Sequence, residues 1–76
     1  MNLERTILEQ LNLDGSERMI RENVLIQEVR SGSGMTLSDI RLALQALERK
    51  EQVIIVSGED HTRIKITAAG RARLLE

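Results

Sequence analysis

Apolar residues recur along the first half of the chain at helical spacing. Leu3, Ile7, Leu8 and Leu11 fall at steps of four, one and three, which predicts a helix over residues 2–12. Asn2 is its cap, and Asp14-Gly15-Ser16 is the turn that ends it. Met19-Ile20-Arg21 reads either as a brief edge strand or as the lead into a second helix over residues 22–30. That helix buries Leu25 and Val29, with Val24 or Ile26 filling the flanks. Ser31-Gly32-Ser33-Gly34 stops it, the two glycines supplying the left-handed conformations that follow a helix end. Thr36-Leu37-Ser38-Asp39 is a capping pattern, with Thr36 as N-cap and an acid three residues on. Leu37, Ile40, Leu44 and Leu47 then form the clearest amphipathic stripe in the chain, and this third helix runs to about Lys50. Arg49 and Lys50 complement the dipole of its last turn.

The period then changes from helical to alternating. Gln52-Val53-Ile54-Ile55-Val56-Ser57 is β-branched and predicts a strand. Ser57-Gly58-Glu59-Asp60 is turn chemistry. In His61-Thr62-Arg63-Ile64-Lys65-Ile66-Thr67, Ile64 and Ile66 point to one face and Arg63 and Lys65 to the other. Two such strands around a Gly-containing turn make a β-hairpin. Thr67 caps a last short helix over residues 68–75, which Gly70 weakens by about 1 kcal/mol relative to Ala.

A lone hairpin is marginal in water, so this one must bury Ile64, Ile66 and one face of its partner strand on the helices. The prediction is one α+β domain over residues 1–76. It consists of a three-helix bundle, a C-terminal β-hairpin and a short terminal helix.

Composition narrows the chemistry. Of 76 residues, 41% are hydrophobic and none is Phe, Tyr or Trp, so the core must be aliphatic. No cysteine and a single histidine exclude a disulfide framework, a thiol nucleophile and a His- or Cys-built metal site. The longest apolar run, Val53-Ile54-Ile55-Val56, is too short to span a bilayer, and Met1-Asn2-Leu3-Glu4-Arg5 is not a secretory leader. A soluble cytoplasmic protein is the expectation. No Ser, His and acid stand in a catalytic motif, and Gly32-Ser33-Gly34 lacks the lysine of a phosphate-binding loop. The chain therefore reads as a non-enzyme without a cofactor.

Net charge is −1, from 11 basic and 12 acidic residues, too little for strong nonspecific nucleic-acid binding. The charge is uneven. Residues 1–34 hold four basic and six acidic side chains, and residues 35–76 hold seven and six.

Three stretches resemble the winged helix-turn-helix family. Residues 36–50 look like its third helix, and Val53-Ile54 stands where the family places a strand entry. Ile64-Lys65-Ile66-Thr67-Ala68-Ala69-Gly70-Arg71 looks like the strand and T-x-x-G-R exit of many bacterial members. The chain departs from the pattern at Glu51, where the family often has Gly after the third helix. It departs also at the acidic hairpin tip, Glu59 and Asp60, and at Leu42, an exposed helix position that is often polar or basic.

The resemblance implies double-stranded DNA as partner and transcription regulation as the role, with the third helix in the major groove. Its outer face would present Ser38, Arg41, Leu42, Gln45 and Arg49. Arg bonds guanine bidentately, Gln does the same to adenine, and Leu meets a thymine methyl. Arg63 and Lys65, on the outward face of the hairpin, would hold phosphates. The competing reading of the same residues is a solvated helix face and a charge-protected sheet edge. His61, beside a turn, reads as exposed rather than functional, and Arg71 as a structural partner for acids of the first helix. Two half-sites would call for a homodimer through the first or last helix, with Leu74-Leu75 as anchors. The rival function is a protein-interaction module without DNA binding, which the near-neutral charge, acidic tip and Leu42 favour.

Overall fold

A computed structural model of the chain describes residues 2–15 and 18–76. The elements run α1 (Leu3–Gly15), β1 (Ile20–Arg21), α2 (Glu22–Ser33), α3 (Leu37–Arg49), β2 (Val53–Ser57), β3 (Thr62–Ile66) and α4 (Ala68–Leu74). The described residues form a small α+β structure of four helices and a three-stranded antiparallel sheet in the order β1-β3-β2.

Each of the first three helices turns three aliphatic residues inward: Ile7, Leu8 and Leu11; Leu25, Ile26 and Val29; Ile40, Leu44 and Leu47. The sheet closes this core with Val53, Ile64 and Ile66. Every side chain in it is Leu, Ile or Val, and no polar side chain is buried among the described residues. Full burial of each such side chain contributes about 1.5–3 kcal/mol relative to exposure.

Local chemistry sets the ends of the elements. Asn2 Oδ1 accepts from Arg5 N at 3.2 Å, the expected cap of α1. That helix continues through Asn12 to Gly15, three residues beyond the expected end; Ser16, part of the expected turn, lies outside the described residues. The alternative of a short strand at Ile20–Arg21 is the one realised, because Ile20 pairs with Ile64 and Arg21 with Arg63 across from β3.

The end of α2 also differs from expectation. The helix passes Arg30 and includes Gly32, since Ser33 Oγ donates to Val29 O at 2.7 Å and one left-handed residue suffices to stop it. That residue is Gly34, at φ 71°, whose N donates to Arg30 O at 2.8 Å. On the flanks of α2 it is Ile26 that is buried, while Val24 is 44% exposed.

Thr36 caps α3, its Oγ1 accepting from Asp39 N at 3.2 Å. Leu37, expected in the buried stripe, is exposed instead. Met35 and Ile40 occupy the two positions of a hydrophobic staple around the cap, and Met35 takes the place against the core.

At its other end α3 closes through a left-handed residue that is not glycine. Glu51 has φ 59°; its N donates to Glu48 O and Gln52 N donates to Leu47 O, both at 2.9 Å. This is the six-to-one and five-to-two bonding of a Schellman end. Thr67 then fastens the next helix to this corner. Its Oγ1 donates to Glu51 O at 2.7 Å and accepts from Gly70 N at 3.1 Å.

Gly70 is where α4 touches the chain between α3 and β2. A Cβ there would collide with Gln52 O and lie 2.8 Å from Ile66 Cγ1. Glycine at this point is a packing requirement, which outweighs the helix propensity it costs. On the other side of α4, Arg5 donates to Arg73 O at 3.2 Å and Leu74 O at 3.0 Å, satisfying carbonyls at the end of the helix. Glu4 Oε1 meets Lys50 Nζ at 2.8 Å and Arg73 Nη1 at 2.7 Å. Arg71 is the expected partner for acids of α1; at Glu4 the partners are Lys50 and Arg73. No helix among the described residues is long and apolar enough to cross a membrane.

Candidate nucleic-acid interface

With Ile40, Leu44 and Leu47 committed to the core, the opposite side of α3 must face solvent. Ser38, Arg41, Leu42, Gln45 and Arg49 are all exposed along it, and Leu42 is 63% exposed. The spacing of three, one, three and four keeps them on one side of the helix.

The register of the hairpin sorts β2 and β3 in the same way. Val53↔Ile66 and Ile55↔Ile64 are inward pairs, while Ile54↔Lys65 and Val56↔Arg63 are outward pairs. Arg63 is exposed and Lys65 half-buried on this outer face. β1 adds a third cation, because Arg21 stands directly opposite Arg63. Like charges opposed across strands repel, which makes the Arg21–Arg63 position receptive to an anion. Among the described residues no acid forms an ion pair with Arg21, Arg49 or Arg63.

Between α2, the start of α3 and the β2–β3 turn lies an open groove of about 870 Å³. Gln27 and Arg30 line it from α2, Leu37 and Arg41 from α3, and Asp60 and His61 from the turn. Arg41 therefore borders the hairpin turn, whereas Arg63 and Lys65 lie on the outer face of the sheet and do not line this groove. Arg41 Nε is 3.4 Å from Glu22 Oε1 at the start of α2. The pair is more than half exposed on the arginine side, so it is worth no more than about 1 kcal/mol.

Arg21, Glu22 and Arg30 are site residues that the linear pattern does not single out. Arg21 was legible in part: if Met19-Ile20-Arg21 is a strand with Ile20 inward, Arg21 must point outward with Arg63. Glu22 and Arg30 carry no signal in the linear pattern, since both become relevant only when α2 crosses α3.

The remaining charged cluster joins α1 and α2. Gln10 Nε2 donates to Glu28 Oε2 at 2.8 Å and to Asp14 Oδ1 at 3.4 Å. Glu28 Oε1 and Asp14 Oδ2 are closed off from solvent and, with both carboxyls ionised, have no donor among the described residues; only a protonated Glu28 can bond to Asp14. Burial, then hydrogen bonding to the Asp14 carboxyl and repulsion from it, push the Glu28 carboxyl above its ordinary range. At Glu4 the reverse holds. Its hydrogen bonds to Lys50 and Arg73 outweigh desolvation and hold its carboxyl below the ordinary range.

No family model matches this chain, and neither a curated protein nor a solved structure matches it.

Proposed function

We propose that the chain is a winged helix-turn-helix domain that binds double-stranded DNA through α3, as a small cytoplasmic transcriptional regulator. The order helix, strand, two helices, hairpin, helix supports that architecture, as does a sheet in which β1 joins the free side of β3. The observation that carries the functional reading is the division of α3. Its apolar residues are spent on the core, and its free side offers Ser38, Arg41, Gln45 and Arg49, groups suited to base edges and phosphates. In this reading β2 and β3 form the wing, and Arg63, Lys65 and Arg21 on its outer face meet the phosphate backbone. The acids at the tip, Glu59 and Asp60, keep the wing out of the minor groove.

Exchange of Arg41→Glu together with Arg49→Glu tests the assignment. Both residues are exposed, so the variant is expected to fold, which circular dichroism checks. Loss of binding to a selected cognate duplex supports the α3 face; full binding by the folded variant excludes it.

A second reading is a protein-docking module, which the 63% exposure of Leu42 in the middle of the α3 face favours. Under that reading Leu42→Ser abolishes partner capture and the double charge reversal leaves it intact.

A further inference from the structure

β2 is an edge strand without the charge or proline that commonly protects one. Among the described residues, the sheet order leaves one side of Val53–Ser57 without a strand neighbour. The strand holds no charge and no proline, and Ile54 and Val56 are each 49% exposed on its outer face. Edges of this kind template pairing with another strand.

Two bonds fix which groups face outward. Thr67 N donates to Gln52 O at 3.1 Å and Gly58 N donates to His61 O at 2.9 Å, at the two ends of the β2–β3 ladder. Even-numbered residues of β2 therefore bond to β3. By the alternation of an antiparallel ladder, the N–H and C=O groups of Val53, Ile55 and Ser57 point to the open side.

From this we infer that β2 is the interface of a homodimer, pairing antiparallel with β2 of a second copy about a two-fold axis at Ile55. In that register Ile55 faces Ile55 of the second copy, and Val53 faces Ser57, so the three residues whose backbone groups point to the open side all fall in hydrogen-bonded pairs. Ile54 then stands opposite Val56 of the second copy in the non-hydrogen-bonded positions, where side chains approach most closely. Four half-exposed aliphatic side chains become one continuous stripe.

Self-complementarity and charge select a second copy in this orientation, since Ile54 and Val56 are matched by the same two residues of the copy. Glu59 and Asp60 put two negative charges where the chain leaves β2, while Glu48-Arg49-Lys50-Glu51, with Lys50 also held by Glu4, is neutral where it enters. An antiparallel self-pair keeps the two acidic exits at opposite ends, and a parallel one sets them side by side. The pairing is closed, so it ends at two copies. It uses neither the first nor the last helix, and its test does not depend on the DNA-binding reading.

The test is made without nucleic acid. Five paired residues form a contact at the weak end of the interface range, so protein is compared at about 10 μM and about 1 mM. Mass is read by sedimentation and backbone protection by amide exchange. The expected result is a rise from 8.6 kDa to twice that mass with concentration. The amides of Val53, Ile55 and Ser57 should slow by about tenfold or more while those of Ile54 and Val56, already bonded to β3, stay constant.

Ile54→Lys and Val56→Glu should each abolish the dimer alone. An equimolar mixture of the two variants should restore it, because the introduced lysine of one copy then faces the introduced glutamate of the other. A monomer at both concentrations would overturn the inference, as would protection that skips the 53, 55, 57 pattern or a dimer indifferent to both variants.

Discussion

Glu22 Oε1 lies 3.4 Å from Arg41 Nε, so the central cation of the proposed DNA-reading face is already met by a carboxylate. Glu22 also stands in the first turn of α2, where the helix dipole favours an acid. A phosphate approaching Arg41 must displace this carboxylate or be repelled by it. Glu22→Gln removes that competition and is expected to tighten duplex binding about two- to fivefold, the equivalent of an exposed ion pair. The gain should shrink as salt rises, because screening weakens the pair in the native protein too. Fluorescence anisotropy of a labelled duplex at two salt concentrations reads both effects.

Gly70 is the least replaceable small residue of α4. Adding one methyl drives it into Gln52 O and Ile66 Cγ1, a backbone atom and a fully packed side chain. Gly70→Ala is therefore expected to destabilise the fold by roughly 2–3 kcal/mol, although Ala is the better helix former. Chemical denaturation followed by far-ultraviolet circular dichroism measures the loss.

Glu51 points the other way. Its φ of 59° carries the strain of a side chain in the left-handed region, and its role in the corner is carried by its backbone N–H and C=O. Glu51→Gly keeps those bonds and is expected to stabilise by about 1 kcal/mol, with a melting temperature higher by about 4–8 °C.

Two glutamates give stability opposite dependences on pH. Glu4 is held below the ordinary 4.5 by Lys50 and Arg73, so its contribution is complete above that value and is lost as pH falls through its lowered one. Glu28 is held above the ordinary 4.5, so folding favours its protonated form. Its contribution is complete below that value and is lost as pH rises through the raised one. Glu28→Gln supplies a permanent donor toward Asp14. It should raise the melting temperature at about pH 7 and leave it nearly unchanged at about pH 4. Glu4→Gln should lower it at about pH 7 and matter less at about pH 3. Thermal melts of both variants across this range check the signs.

Most of the elements were legible because the core is purely aliphatic and its periods are clean. The steps through Ile7, Leu8 and Leu11 and through Ile40, Leu44 and Leu47 can be satisfied only by helices with those faces inward. The caps at Asn2, Thr36 and Thr67 formed with the bonds their side chains imply. What escaped the sequence was tertiary. Gly70 reads as a weak point until α4 is laid against Gln52. Glu51 reads as a missing glycine, yet the chain takes the left-handed turn regardless, because the corner bonds and the anchor from Thr67 enforce it. Gly32 reads as a stop, but only Gly34 had to be left-handed. Of the candidate site, the exposed face of α3 followed from amphipathicity. The Glu22–Arg41 pair and the Arg21–Arg63 juxtaposition depend on contacts between elements distant in sequence.

In the proposed function α3 and the outer face of the hairpin meet DNA. Titration of isotope-labelled protein with mixed-sequence duplex, at low and moderate salt, tests it most directly through the backbone amide shifts. Salt-sensitive shifts are expected at residues 38–49 and 63–65, with α1 unaffected. A well-dispersed spectrum that does not move at low salt would contradict it and leave a protein partner as the reading of the Leu42 face.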